Sequence, residues 1–190
     1  AAQCYDRVAH AMTALTLRAY KVRQSSVMGM LQPIQNMEYY LRTGYGESTT
    51  FSGGKDDKKQ GLCQGNAAAP SAWQMLTSVL IRVQRRMGHG IRITSPISQK
   101  SIKQAGIVFV DDTNLWSGME DDDDLLSAVH KGQEDVNLWA KSLEEVGGLL
   151  QPPKCGWTVH DMRCSDKGVW EYRDARRKRR RKMETPQKRK

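Results

Sequence analysis

The 190-residue chain is poor in cysteine. Its four, Cys4, Cys63, Cys155 and Cys164, lie far apart and form no Cys-x-x-Cys pair. That spacing argues against a zinc site and against a disulfide framework, and leaves reduced thiols in an intracellular setting as the expectation. No apolar run approaches the roughly 20 residues that a bilayer span needs, and no signal peptide is visible, so no membrane partner is expected. Internal repeats are absent too. Apolar residues make up only 38% of the chain, but they cluster in periodic runs that suffice for a modest core. The sequence opens at Ala1 without a methionine, already inside what reads as a structured element, and a piece of a larger reading frame is expected.

Charge is plentiful but uneven. Against 21 Asp+Glu stand 30 Lys+Arg, a formal net of +9. From Trp170 to Lys190 there are 11 basic and 3 acidic residues, leaving 19 basic and 18 acidic in 1–169. The body is therefore close to neutral, and the high isoelectric point reports the tail. Two units are expected: a folded region over 1–173 and a disordered basic tail over 174–190.

Hydrophobic periodicity predicts a helix over about 7–20, with Val8, Ala11, Met12, Leu15 and Ala19 on one face. A second helix is expected from Ser25 or Ser26, good N-caps, to about Met37, with Pro33 kinking it or ending it early. Glu38–Thr43 has strand character, and a polar, glycine-bearing connection follows from Gly44 to Gly61. A long helix over 67–87 should bury Ala72, Leu76, Val79, Leu80, Val83 and Met87. Strands are expected at Ile91–Thr94, Ala105–Val110 and Asn114–Trp116, the last two around a tight turn at Asp111-Asp112. A helix carrying Leu125, Val129, Val136, Trp139, Leu143 and Val146 precedes Gly147-Gly148. Cys155–Val159 and Val169–Tyr172 read as a final pair of strands. The order implies an α+β fold, an antiparallel sheet with helices packed on one face.

Chemistry is concentrated in Ile107-Val108-Phe109-Val110-Asp111-Asp112-Thr113-Asn114-Leu115-Trp116. Neighbouring side chains of a strand point to opposite faces, so two adjacent carboxylates reach one site only where the chain turns. A hairpin tip lifts them out of the apolar layer while the strands hold them. Nucleotidyl transfer uses such a platform, carboxylates fixing Mg²⁺ ions about 4 Å apart on the attacking and leaving oxygens. An Asp-Asp surface turn accounts for the pair equally well. Upstream, Gly61-Leu62-Cys63-Gln64-Gly65 is a glycine-bounded turn entering a helix, suited to close backbone approach and to phosphate. Downstream, Gly147-Gly148-Leu149-Leu150-Gln151-Pro152-Pro153-Lys154 presents a lysine on a constrained loop.

Together and in this order these segments resemble the reverse transcriptase family, over about Ala1–Tyr172. Phe109-Val110-Asp111-Asp112 is similar to the aromatic-x-Asp-Asp signature of the polymerase palm. Gly61-x-x-Gln64-Gly65 with Pro70 is similar to the family's Gln-Gly motif, and Gly148-x-Leu150-x-Pro-Pro-Lys154 to a later motif whose lysine lies near the nucleotide phosphates. Cys4-Tyr5-Asp6-Arg7-Val8 resembles the end of the first catalytic motif. Its aspartate would fall immediately before Ala1, and Asp6 matches only a non-catalytic acid. The resemblance, closest to retrotransposon-type enzymes, implies a palm fold lacking fingers and thumb. It implies Asp111 and Asp112 as catalytic metal ligands for Mg²⁺ or Mn²⁺, and Lys154 as a general acid or a partner of the leaving pyrophosphate. Tyr5, Gln64 and Gly65 would form the nucleotide pocket, with Tyr5 as steric gate. The implied partners are an RNA or DNA template with primer, and deoxynucleoside triphosphates. A fragment inactive by itself is expected.

Other conspicuous residues have plainer explanations. Asp121–Asp124 suits the positive end of a helix dipole, and His10, His89, His130 and His160 share no spacing. His10 reads as a helix-face residue, His89 as part of a turn, and Trp139 and Trp157 as core. The run Arg176–Lys182 fits a nuclear localisation signal, a non-specific nucleic-acid contact or a shifted reading frame. A different class of function stays open: a basic nucleic-acid-binding protein whose palm-like scaffold is inactive and whose tail supplies the affinity.

Overall fold

Seven residues that recur at three- and four-residue steps organise the molecule: Ala69, Ala72, Trp73, Leu76, Thr77, Leu80 and Gln84. That spacing puts them on one stripe of a helix. In a computed structural model, describing residues 4–51, 60–63, 65–118, 124–160, 162–172 and 181–182, all seven are buried. The elements run α1 (Cys4–Arg7), α2 (His10–Ala19), α3 (Gln24–Gln35), β1 (Arg42–Thr43), β2 (Gly46–Glu47), α4 (Ala69–Met87), β3 (Ile91–Thr94) and β4 (Ser101–Gln104). They continue with β5 (Gly106–Phe109), β6 (Asp112–Leu115), α5 (Leu125–Glu145), a 3-10 turn (Pro152–Lys154), β7 (Gly156–Trp157), β8 (Met162–Cys164), β9 (Trp170–Tyr172) and β10 (Arg181–Lys182). Mixed α+β is thus the fold class. Among the described residues the strands pair two by two and antiparallel, β1 with β2, β3 with β4, β5 with β6, β7 with β10 and β8 with β9, where one shared sheet was expected. No described helix is long and apolar enough to cross a membrane.

Helix α4 is the central element. α2 packs along it on one side and α5 on another, and β5 also touches it. Leu17, Val27, Leu31, Leu62, Trp73, Leu76, Leu80, Trp139, Leu143 and Val146 close into one core cluster.

Several local expectations are revised. The first helix is broken at Val8-Ala9 because tertiary partners take over the backbone there: Gly61 N–H donates to Val8 O (2.8 Å) and Ala9 N–H donates to Val146 O (2.9 Å). Its buried face is also different. His10, Thr13, Thr16 and Leu17 point inward, whereas Leu15 is 65% exposed. The polar side chains are admitted because they find partners; the Thr13 hydroxyl, for one, donates to Ala9 O (3.2 Å). Pro33 lies within α3, which ends two residues later. The segment after α3 turns back on itself, Tyr39 bridging to Phe51 with their rings stacked at 6.1 Å. Strand β7 does not pair with β9: β9 pairs with β8, and β7 with Arg181–Lys182 of the basic tail.

A buried acid ties the second half together. Asp135 is 1% exposed. One carboxyl oxygen accepts from His89 N–H (2.8 Å) and from Gln84 Nε2 (3.1 Å), and the other accepts from the Ser117 hydroxyl. It therefore joins the end of α4, the entrance to β3, the exit of β6 and the middle of α5. Removing a buried acceptor leaves each donor desolvated and unpaired. Asp135→Ala is expected to destabilise the chain by about 3 kcal/mol or more, read as the shift of a urea unfolding curve; Asp135→Asn, which keeps an acceptor in place, should cost less than half as much.

Candidate functional site

Strands β5 and β6 pair with Phe109 opposite Asp112, which leaves Val110 and Asp111 as the two loop residues of the hairpin. The turn thus falls one residue earlier than its Asp-Asp composition suggests, and Asp112 is the first residue of β6. Both carboxylates are exposed. Val110 has φ +54°. Tight two-residue hairpin turns require a positive φ, usually met by glycine, asparagine or aspartate. A β-branched residue held there costs on the order of 1–3 kcal/mol. The tip is strained, and something must hold it.

Trp73 does so. Its indole lies in the first turns of α4, 3% exposed, and its Nε1–H donates to Val110 O at 2.5 Å. The same ring meets Tyr5 of α1 edge-on, with centroids 6.3 Å apart and an interplanar angle of 69°, a geometry worth about 0.5–1.5 kcal/mol. One tryptophan thereby joins the acidic tip to the ring of Tyr5.

The α1–α2 junction gathers the remaining motifs. Leu62 N–H donates to Tyr5 O (2.6 Å) and Gly61 N–H to Val8 O. Gly61 has φ +89°, and a Cβ on it would stand 2.6 Å from Asp6 O. On the other side Gly147, with φ +90°, packs so closely that a Cβ would strike Arg7 O. Only glycine satisfies both demands at either place. The Gln-Gly turn and the Gly-Gly loop therefore depart from the same short stretch, residues 6–9.

Between Gly61 and α4 the backbone turns left-handed again at Cys63 (φ +57°) and Gly65 (φ +96°). Gly65 is exposed, and Asn66 Oδ1 accepts from Ala68 N–H (3.0 Å) just ahead of the helix. Gln64 lies outside the described residues. His10 braces this turn from below. It is buried, its Nε2 is 2.5 Å from Gly61 O, and Gln35 Nε2 approaches its Nδ1 at 3.4 Å. With Nε2 protonated and Nδ1 accepting, every polar atom of the ring is used. A groove of about 950 Å³ opens beside the turn, lined by Asp6, Met30, Met37, Tyr39, Cys63 and Asn66 among others. The Tyr39 phenol there has its pKa raised, first by desolvation, then by electrostatic interaction and a hydrogen bond with Cys63, and last by Asp6.

Lys154 ends the 3-10 turn that follows the Gly-Gly loop. It is exposed, and its backbone N–H donates to Gln151 O (3.0 Å). Cys155 closes the turn, its thiol donating to the same carbonyl (3.2 Å), and burial pushes that thiol's pKa up. The structure thus links the acidic tip to Tyr5 through Trp73 and Tyr5 to Leu62 beside Gly61, and anchors only the base of the loop that carries Lys154. Asp124, from the acidic run set aside in the sequence, caps α5 by accepting from Ser127 N–H (2.7 Å); Asp121–Asp123 lie outside the described residues.

Hard oxygen donors suit Mg²⁺, which binds through one or two carboxylates together with substrate phosphates. Asp111 and Asp112, both exposed, supply the donor type that mode uses. Among the described residues no group of three or more His, Cys, Asp or Glu side chains is placed to hold a metal by itself.

Three residues that hold the site together were given no part in it by the sequence, in which His10 reads as a helix-face residue and Val110 as the end of a strand. Trp73 and His10 act on main-chain carbonyls far away in sequence, which no local pattern reveals. Val110 adopts a conformation that its side chain disfavours. Trp73→Phe keeps the apolar ring and removes the donor to Val110; it should destabilise by about 1–3 kcal/mol, measured by denaturant titration. Val110→Gly should instead stabilise by up to about 1 kcal/mol, relief of the left-handed strain exceeding the added chain entropy; a loss of stability on this substitution would show the tip to be unstrained. No protein-family model, no curated protein and no solved structure matches the chain, so what the site does rests on its own residues.

Proposed function

We propose that the chain is the palm portion of a retroelement-type reverse transcriptase, a template-directed nucleotidyl transferase inactive by itself. The observation that carries this reading is the convergence on one tryptophan of the strained Val110-Asp111 tip, which Asp112 directly follows, and Tyr5, with Tyr5 O in turn accepting from Leu62 N–H beside Gly61. A surface Asp-Asp bend has no need of a buried anchor or of a β-branched residue in left-handed conformation. Strain of that kind is kept where geometry matters.

In this reading Asp111 is the principal metal ligand and Asp112 a secondary one. Mg²⁺ bound there would neutralise charge on the attacking and leaving oxygens. The protein's own residues position the substrate. Gly65, whose exposed left-handed backbone admits close approach, would line the nucleotide pocket, and Gln64 is assigned there by the resemblance alone. Tyr5, its ring held by Trp73, stands as a rigid wall against a ribose 2′-hydroxyl. Lys154 offers a cation, or a proton, to the departing pyrophosphate. Template, primer and deoxynucleoside triphosphates are the partners.

A second reading is favoured by the small donor set: a basic nucleic-acid-binding protein on an inactive palm-like scaffold. Two adjacent carboxylates hold a divalent ion weakly until phosphates complete its shell. Fluorescence anisotropy on a labelled primer–template with deoxynucleotide separates the two. Mg²⁺-dependent tightening that Asp111→Asn abolishes is expected, with no primer extension by the 190-residue chain. Binding indifferent to both Mg²⁺ and Asp111→Asn would leave the inactive scaffold, and primer extension sensitive to Asp111→Asn would refute the inactivity.

A further inference from the structure

The near-neutral body is two unlike halves. Residues 7–37 and 60–110 together hold ten Lys and Arg and no Asp or Glu, while the rest of 1–169 holds 9 basic and 18 acidic residues. The acid-free half contains α2, α3 and α4, and packing brings part of its charge together. Arg82, Arg85 and Arg86 stand three and four residues apart near the end of α4, on one face. The Tyr20 hydroxyl bonds the Ser78 hydroxyl at 2.5 Å, and Arg82 lies over the Tyr20 ring at 5.6 Å. These contacts seat the end of α2, with Arg18, Lys21 and Arg23, beside the arginines of α4. All six are exposed, and among the described residues none of them forms an ion pair.

Helix dipoles explain only part of this arrangement. Arg18, Arg85 and Arg86 lie in last turns, where cations are favoured. Arg23 is the N-cap of α3, where a cation meets the positive end of the dipole, so its presence calls for an anion from outside. Five of the six are arginine, whose planar fork matches phosphate oxygens two at a time. Arg82 lies over the ring of Tyr20 at 5.6 Å, a cation–π contact that offers no hydrogen-bond acceptor and so leaves its N–H groups for a ligand. From Trp73 to Arg85 the helix rises about 18 Å, so this surface is separate from the acidic tip.

We propose that the C-terminal ends of α2 and α4 form a second, polynucleotide-backbone-binding surface, contacting phosphodiester groups through Arg82, Arg86 and Arg23. It rests on charge placement and not on the polymerase reading. The test measures binding of a fluorescein-labelled 20-base-pair DNA by the full chain across a KCl series. R82Q/R86Q is compared with K141Q/K167Q, which removes the same charge elsewhere. Each lost phosphate contact lowers the slope of log K against log salt by about 0.9. The patch variant should therefore lose about 1.8 in slope and roughly tenfold in affinity, and the control less than twofold. Equal slopes for the two variants would overturn the proposal, since net charge alone would then set the binding. It would be overturned equally if the patch variant kept its DNA binding and lost binding to phosphatidylserine vesicles. Should R82Q/R86Q fail to fold by circular dichroism, Arg23→Gln, exposed at a helix start, carries the test with a slope change of about 0.9. Asp111→Asn should leave these slopes untouched, so this surface and the acidic site fail or stand separately.

Discussion

One hydrogen bond carries an unusual share of the architecture: the indole N–H of Trp73 on the carbonyl of Val110. A buried indole N–H has to find an acceptor, and in most cores a nearby helical carbonyl or a water serves. Here the acceptor is the tip of a hairpin 37 residues away, in a backbone conformation that valine resists. The bond and the strain explain each other. The turn presents its carbonyl inward because Val110 is left-handed, and Val110 stays left-handed because its carbonyl is held. Since the same ring packs edge-on against Tyr5, the acidic tip and the N-terminal helix are positioned by the core itself and not by surface contacts.

The second constraint is the interruption between α1 and α2. A continuous helix through Val8 and Ala9 would have spent their backbone groups internally. Broken there, the chain offers Val8 O to Gly61 and the Ala9 N–H to Val146, which pins two loops distant in sequence to adjacent residues. The two pinning residues or their neighbours are left-handed glycines whose missing Cβ makes the approach possible. His10, one residue further on, adds a side-chain bond to the Gly61 carbonyl. Backbone complementarity of this sort fixes the position of a turn without committing the side chains that face outward, which leaves those free for chemistry.

Much of this was legible in the sequence, unequally. The long helices declared themselves: α4 and α5 lie within a few residues of where their apolar periodicity puts them, because each buries a stripe wide enough to dominate local preference. Helix α2 was legible as a helix but not in its orientation, since His10, Thr13 and Thr16 face the core while Leu15 faces solvent. Polar residues point inward only where partners await them, and those partners, such as Gly61 O, are visible only in three dimensions. The hairpin was legible in place and misread by one residue. Turn preferences favour Asp over Val, and tertiary clamping by Trp73 overrode them. Asp135 gave no signal at all; its spacing on α5 matches the apolar stripe, and only the donors that converge on it make burial tolerable.

Scaffold and chemistry are separable in this molecule. Trp73, His10, Gly61 and Gly147 build the geometry through the main chain and the core. The residues proposed to carry the chemistry are few and exposed: Asp111, Asp112, Lys154 and Gly65. For stability alone the left-handed Val110 brings nothing, because a glycine or asparagine in its place would form the same hairpin with less strain. Retaining valine also retains a half-exposed apolar side chain, 43% exposed, directly beside the two carboxylates. The strained residue and the acids it adjoins form one unit, in which the Val110 carbonyl held by Trp73 fixes the turn that Asp111 completes and from which Asp112 begins the returning strand.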